Sequence, residues 1–151
     1  MHDENTQGIR AVAWVEPLHQ LWIANEDLHR ILIVDSNGKY VGKVKTKNPV
    51  GMIFDKESGL VFVGSKKSSK NTGSVYGIDI QTQKVVKTFT LLGGETMSHP
   101  TGLAVHGDIL FVGEQSMNVI LTFNIVTERF IRQIIGPLQN DGVESLLLSD
   151  C

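Results

Sequence analysis

Three stretches of this chain open alike, and that internal repeat constrains the fold more than any single motif does. Ile9-Arg10-Ala11-Val12-Ala13-Trp14, Pro49-Val50-Gly51-Met52-Ile53-Phe54 and Pro100-Thr101-Gly102-Leu103-Ala104-Val105 each set a small residue at the start of an apolar strand. A fourth opening, Gly142-Val143-Glu144-Ser145-Leu146, echoes Gly8-Ile9-Arg10-Ala11-Val12. Ala11, Gly51, Gly102 and Ser145 hold the same place, where a small side chain lets crowded strands approach closely.

The rest of each copy follows in order. Second strands read Leu21-Trp22-Ile23-Ala24, Val61-Phe62-Val63-Gly64 and Leu110-Phe111-Val112-Gly113. Third strands run through Ile31–Asp35, Val75–Asp79 and Ile120–Asn124. Fourth strands, Tyr40–Val44, Val85–Phe89 and Phe130–Ile134, alternate polar with apolar residues, as strands half exposed to water do. Ala11 to Gly51 spans 40 residues, Gly51 to Gly102 spans 51, and Gly102 to Ser145 spans 43. The excess in the second copy falls in two loops, Ser65 to Gly73 and Leu91 to His99, where insertions are tolerated. Ser36-Asn37-Gly38-Lys39 predicts a type I′ hairpin. A helix through Leu18, Leu21, Trp22 and Leu28 is the rival reading of the first copy. The β-branched neighbours and the alignment with two other copies favour strands.

A period near 40 with four short strands per unit predicts an all-β fold: a partial β-propeller of three four-stranded antiparallel blades plus the first strand of a fourth, near Leu146-Leu147-Leu148. The divisions are an N-terminal tail (1–7), blade 1 (8–46), blade 2 (47–98), blade 3 (99–138) and the start of blade 4 (139–151). Three blades leave two outer faces bare, so either more chain or a second copy must cover them. The stop inside a repeat at Ser149-Asp150-Cys151 favours a fragment; two copies would together supply six blades. Trp14, Trp22, Phe62 and Phe111 are expected in the core.

Composition narrows the function classes. A net charge of −2 gives no global field for nucleic acid or anionic membranes. The polar start, Met1-His2-Asp3-Glu4-Asn5, is not a signal peptide, and no apolar run approaches a membrane span. Cys151, the single cysteine, cannot form a disulfide within the chain. The expectation is a cytoplasmic protein with no cofactor, no metal and no membrane partner.

The wording resembles the NHL-type repeat and its six-bladed relatives. Pro100–Val105 followed by Ile109-Leu110-Phe111-Val112-Gly113-Glu114 is similar to that family's opening and second strand, and Arg30–Lys39 to its third strand and turn. Repeat two, from Gly73-Ser74-Val75-Tyr76-Gly77-Ile78-Asp79 to Lys84-Val85-Val86, resembles the YVTN type. The acidic position after strand two holds Glu114 in one copy but Asn25 and Ser65 in the others, a departure from the NHL pattern. The resemblance implies a binding scaffold, with RNA- and protein-binding members among its relatives. Lactonases and lyases of related fold hold a metal with carboxylates and histidines around the channel. Here Glu26, Asp27, His29, Glu95, His99, Glu114 and Asp141 are the candidates, without a ligand spacing among them.

In such a fold the strand-two-to-three loops and the blade-to-blade links share one face. That face would carry Asn25, His29, His99 and Glu114, together with a basic group: Lys45 and Lys47 entering blade 2, and Lys66, Lys67 and Lys70 in its long loop. These nine are the candidate ligand-binding residues; no catalytic residue is assigned. The leading expectation is a non-enzymatic scaffold that binds a protein or another macromolecule there. The alternatives are a metal-dependent lactonase or lyase, and an anion- or RNA-binding module working through the lysines. The Ser65–Gly73 loop has no aromatic residue on which a base could stack. Partners therefore span a protein, the remaining blades, a second copy, or RNA and other polyanions.

Overall fold

The computed structural model describes residues 8–91 and 95–135. They form an all-β structure of three four-stranded antiparallel sheets, each strand pairing with the next in the chain. Blade 1 contains β1 (Ile9–Val15), β2 (Gln20–Asn25), β3 (Arg30–Asp35) and β4 (Tyr40–Lys45). Blade 2 contains β5 (Pro49–Asp55), β6 (Leu60–Ser65), β7 (Ser74–Asp79) and β8 (Val85–Phe89). Blade 3 contains β9 (Pro100–His106), β10 (Ile109–Glu114), β11 (Val119–Asn124) and β12 (Phe130–Ile135). The first strands lie side by side, β1 against β5 and β5 against β9, so the sheets stack as in a partial propeller. The strand expected near Leu146–Leu148 lies outside the described residues.

The alternation of side chains along a strand explains why blade 2 is the most apolar. Val61, Val63 and Ile78 point one way and pack with Val15, Trp22, Ile31 and Ile33 of blade 1. Leu60, Phe62, Val75 and Phe89 point the other way and pack with Leu110, Val112, Leu121 and Phe123 of blade 3. All of β6 is buried, while β10 alternates between buried and half-buried positions. Phe62, Phe89, Phe123 and Phe130 form a row of edge-to-face rings with centroids 5.9, 5.8 and 5.6 Å apart. Burial of each such ring stabilises the fold by about 1.5–3 kcal/mol.

The stretch from Leu18 to Leu28 is not an α-helix, in agreement with the strand reading: β2 runs through it, preceded by a three-residue 3-10 turn, Glu16–Leu18. Two local expectations need correction. The β3–β4 turn is not type I′, because Gly38 (φ 83°) takes a positive φ and Asn37 does not. The Asp35 side chain shapes that turn instead, accepting the Asn37 and Lys39 N–H groups at 2.9 Å each. Asp79 and Asn124 do the same work at the matching turns of blades 2 and 3. Finally, Trp22 and Phe62 are fully buried as core residues, but Trp14 is 41% exposed on the outer face of blade 1. Phe111 is half-buried on the outer face of blade 3. Among the described residues no helix is long and apolar enough to cross a membrane.

Candidate functional site

One rule of hydrogen bonding builds the loop face three times. The residue after strand two donates its backbone N–H to the residue before strand one: Glu26 to Gly8 (2.8 Å), Lys66 to Asn48 (2.9 Å) and Gln115 to His99 (3.0 Å). Each strand-two-to-three loop is thereby laid against the link that enters its own blade.

The last residue of strand two reinforces the arrangement. Glu114 is 1% exposed, and its Oε2 accepts the Ser98 N–H (2.6 Å) and the His99 N–H. Its Oε1 accepts the Ser116 hydroxyl (2.6 Å) and the Met117 N–H (2.8 Å). Burial alone would raise the Glu114 pKa; the four donors outweigh it and hold the carboxyl below its usual range. In blade 2 the Ser65 hydroxyl donates to the Lys47 carbonyl (2.5 Å) and accepts from Asn71 Nδ2 (2.9 Å). In blade 1 the Asn25 Oδ1 accepts the Leu28 N–H (3.1 Å), while its buried Nδ2 has no partner among the described residues. Asn25 and Glu114 thus serve the loops, with their polar atoms turned inward.

The lysines divide by partner. Lys66 Nζ lies 3.6 Å from Glu26 Oε2, and Glu26 Oε1 accepts Arg10 Nε at 2.7 Å. Burial would raise the Glu26 pKa, but the Arg10 bond and the two positive charges together lower it. Lys67 anchors through its backbone, donating N–H to the Ser98 carbonyl (2.8 Å), and its side chain is exposed. Lys45 sits exposed at the end of β4, opposite Arg30.

Lys47, Lys70 and His29 come together. With Asn48, Ser68, Ser69 and Asn71 they line a cleft of about 500 Å³ between the loops of blades 1 and 2. His29 Nδ1 accepts the Asn48 N–H at 3.1 Å, which leaves Nε2 to carry the proton of the neutral ring. His29 (φ 52°) and Asn48 (φ 43°) both hold left-handed backbone, rare for residues other than glycine. Among the described residues no carboxylate lines this cleft. His99 is half-buried, with its backbone engaged by Glu114 and Gln115. Among the described residues no group of three or more His, Cys, Asp or Glu side chains is placed to hold a metal ion. Asp141 lies outside them.

Sequence reasoning missed Asn48, Ser68, Ser69 and Asn71. The Asn48-Pro49 pair was the available signal, since Asn tolerates the left-handed backbone of a tight link.

No family model matches the chain, and no curated protein matches it. Among solved structures it is similar to Kuenenia stuttgartiensis hydrazine synthase, with a TM-score of 0.69 and 21% identity. The match covers 86% of this chain and 37% of that one, so the chain spans little more than a third of its structural neighbour. A likeness at that identity concerns the fold.

Proposed function

We propose that this chain is a non-enzymatic, NHL-type propeller scaffold whose loop face binds an acidic segment of a protein partner. The observation that carries the reading is the cleft between blades 1 and 2: two lysines, a histidine and four uncharged polar residues, with no carboxylate among the described residues that line it. Its volume is in the range of small ligand pockets, enough for a few side chains of an extended peptide. Lys47 and Lys70 supply charge, while Asn48, Ser68, Ser69 and Asn71 supply adaptable hydrogen bonds. Among the described residues no Phe, Tyr or Trp ring lines the cleft, so a peptide suits it better than the stacked bases of single-stranded RNA.

The test is binding of a fluorescent oligo-glutamate peptide beside a labelled oligonucleotide, each at two salt concentrations. The peptide is expected to bind with an affinity that falls as salt rises. Lys47→Ala together with Lys70→Ala should weaken it about tenfold, since two exposed charge contacts contribute about 0.5–1 kcal/mol each. Preference for the oligonucleotide, or unchanged peptide affinity in the double variant, would falsify this reading.

A further inference from the structure

The two ends of the blade stack are opposite halves of the interface that the molecule builds twice inside itself. Independently of the loop-face cleft, we propose that the 151-residue chain pairs head to tail with a second copy. The outer face of blade 3 in each chain seats on the outer face of blade 1 in the other.

The glycines carry the argument. Gly51 and Gly64 face blade 3, where the backbone of β9 lies directly on them. A β-carbon at Gly51 would collide with the Thr101 carbonyl, and one at Gly64 with the Pro100 carbonyl. Glycine at these positions is therefore a mark of a strand seated on top. The repeat puts Gly102 and Gly113 at the same positions of blade 3, paired across β9 and β10. Among the described residues the space there is open: a β-carbon at Gly102 meets nothing within 4 Å, and the nearest atoms to one at Gly113 belong to Gly102, at 3.6 Å and beyond. The trough continues over Ala104, Phe111 and Ile120 and is almost wholly apolar. It has the shape that receives a first strand elsewhere in the molecule, and no described strand lies in it.

Blade 1 presents the complementary surface. In blade 2 the positions that meet the preceding blade are Met52, Phe54, Val61 and Val63. Their counterparts in blade 1 are Val12, Trp14, Leu21 and Ile23, which share one face by register. That face is uncovered, with Val12 55% and Trp14 41% exposed. Exposed apolar side chains grouped on one sheet face suit an interface. Each chain thus has one face of each kind, and a head-to-tail pair covers both at once, giving a ring of two contacts. Pairing like with like would set trough against trough and leave Gly102 and Gly113 without a strand.

The full 151-residue chain, sedimented over a range of concentrations, should run as a dimer. Gly113→Val blocks the trough, and Trp14→Asp spoils the opposite face; neither touches the inner packing. Each variant alone should be monomeric where the wild type is dimeric, with an unchanged far-ultraviolet circular dichroism spectrum. Mixed together, the two variants retain one good trough and one good blade 1 face, and they should recover a heterodimer. A wild-type monomer at all concentrations, including one whose own residues 136–151 fill the trough, overturns the proposal. So does a Trp14→Asp chain that dimerises as well as wild type, which would mean a like-with-like contact. If either variant loses its spectrum, Gly102→Ala and Val12→Lys are the milder substitutions for the same comparison.

Discussion

Gly64 and Gly113 occupy the same place in consecutive blades, at the end of strand two and on the face toward the following blade. At Gly64 the Pro100 carbonyl lies where a β-carbon would be; at Gly113 the nearest foreign atom is 3.6 Å away, an ordinary contact. Identical residues in identical backbone settings therefore answer to different constraints. One glycine is needed by the strand seated on it; the other meets no such strand among the described residues.

The sharpest way to break this comparison is to add one methyl group at each site. Gly64→Ala should destabilise the chain by about 3 kcal/mol or more, because a backbone carbonyl cannot swing aside as a side chain does. Gly113→Ala should change monomer stability by only about 0.5 kcal/mol in either direction. Urea denaturation in dilute solution, where association does not contribute, measures both. Equal effects would mean that β9 does not lie on Gly64 as described.

The same contrast between sealed and open blades recurs in the polar residue that ends strand two. Among the described residues Glu114 joins two loops through four hydrogen bonds, whereas Asn25 makes one, to Leu28. Glu114→Ala should cost about 3 kcal/mol, since the N–H groups of Ser98, His99 and Met117 all lose their acceptor. Asn25→Ala should cost about 1 kcal/mol. Thermal melts of the two variants rank the links directly, and an Asn25 effect as large as that of Glu114 would show that its Nδ2 has a strong partner after all.

Acid unfolding separates Glu114 further. Its folded pKa lies below the ordinary 4.5, so the native state binds fewer protons than the unfolded chain between those two values. The stabilisation is complete above about pH 4.5 and is lost as pH falls through the folded pKa. Glu26, lowered by Arg10 and Lys66, titrates in the same sense. Glu114→Gln should flatten the stability curve in that acid window, and a slope equal to wild type would refute the assignment.

Much of the fold was legible because the repeat aligns residues of like environment. Twelve strands, the loop positions and the small residues at Gly51 and Gly102 all follow from that alignment. The site was less legible. Lys47 and Lys70 are far apart in sequence, and the bonds from Lys66 N–H to the Asn48 carbonyl and from the Ser65 hydroxyl to the Lys47 carbonyl bring their segments together. Glu114 looked like a ligand because a carboxylate on a loop face usually meets solvent; its four internal donors are invisible in a sequence. Trp14 looked like core because strand alternation does not say which blade faces are covered, and the outer face of blade 1 is not. Val12 and Trp14 of β1 are exposed, while Ile31 and Ile33 of β3 point inward and are buried.

The smallest expected effect tests how blades 1 and 2 divide their charges. Lys66 and Lys70 belong to one loop, yet Lys66 reaches Glu26 of blade 1 at 3.6 Å whereas Lys70 lines the cleft. Lys66 remains 39% exposed, so solvent screens the pair and it contributes little to stability. Lys66→Ala should therefore shift unfolding by no more than about 0.5 kcal/mol. It should also leave oligo-glutamate affinity within about twofold, because Glu26 already competes for that ammonium group and a contact worth less than about 0.5 kcal/mol moves binding no further. Lys70→Ala, with no such carboxylate beside it in the cleft, should weaken the peptide about three- to fivefold at low salt, and the loss should shrink as salt rises. The order of the two effects matters more than their size. If Lys66→Ala weakened the peptide as much as Lys70→Ala, the ligand would be drawn by the summed charge of the loop, and the division set by Glu26 would have no bearing on where it binds.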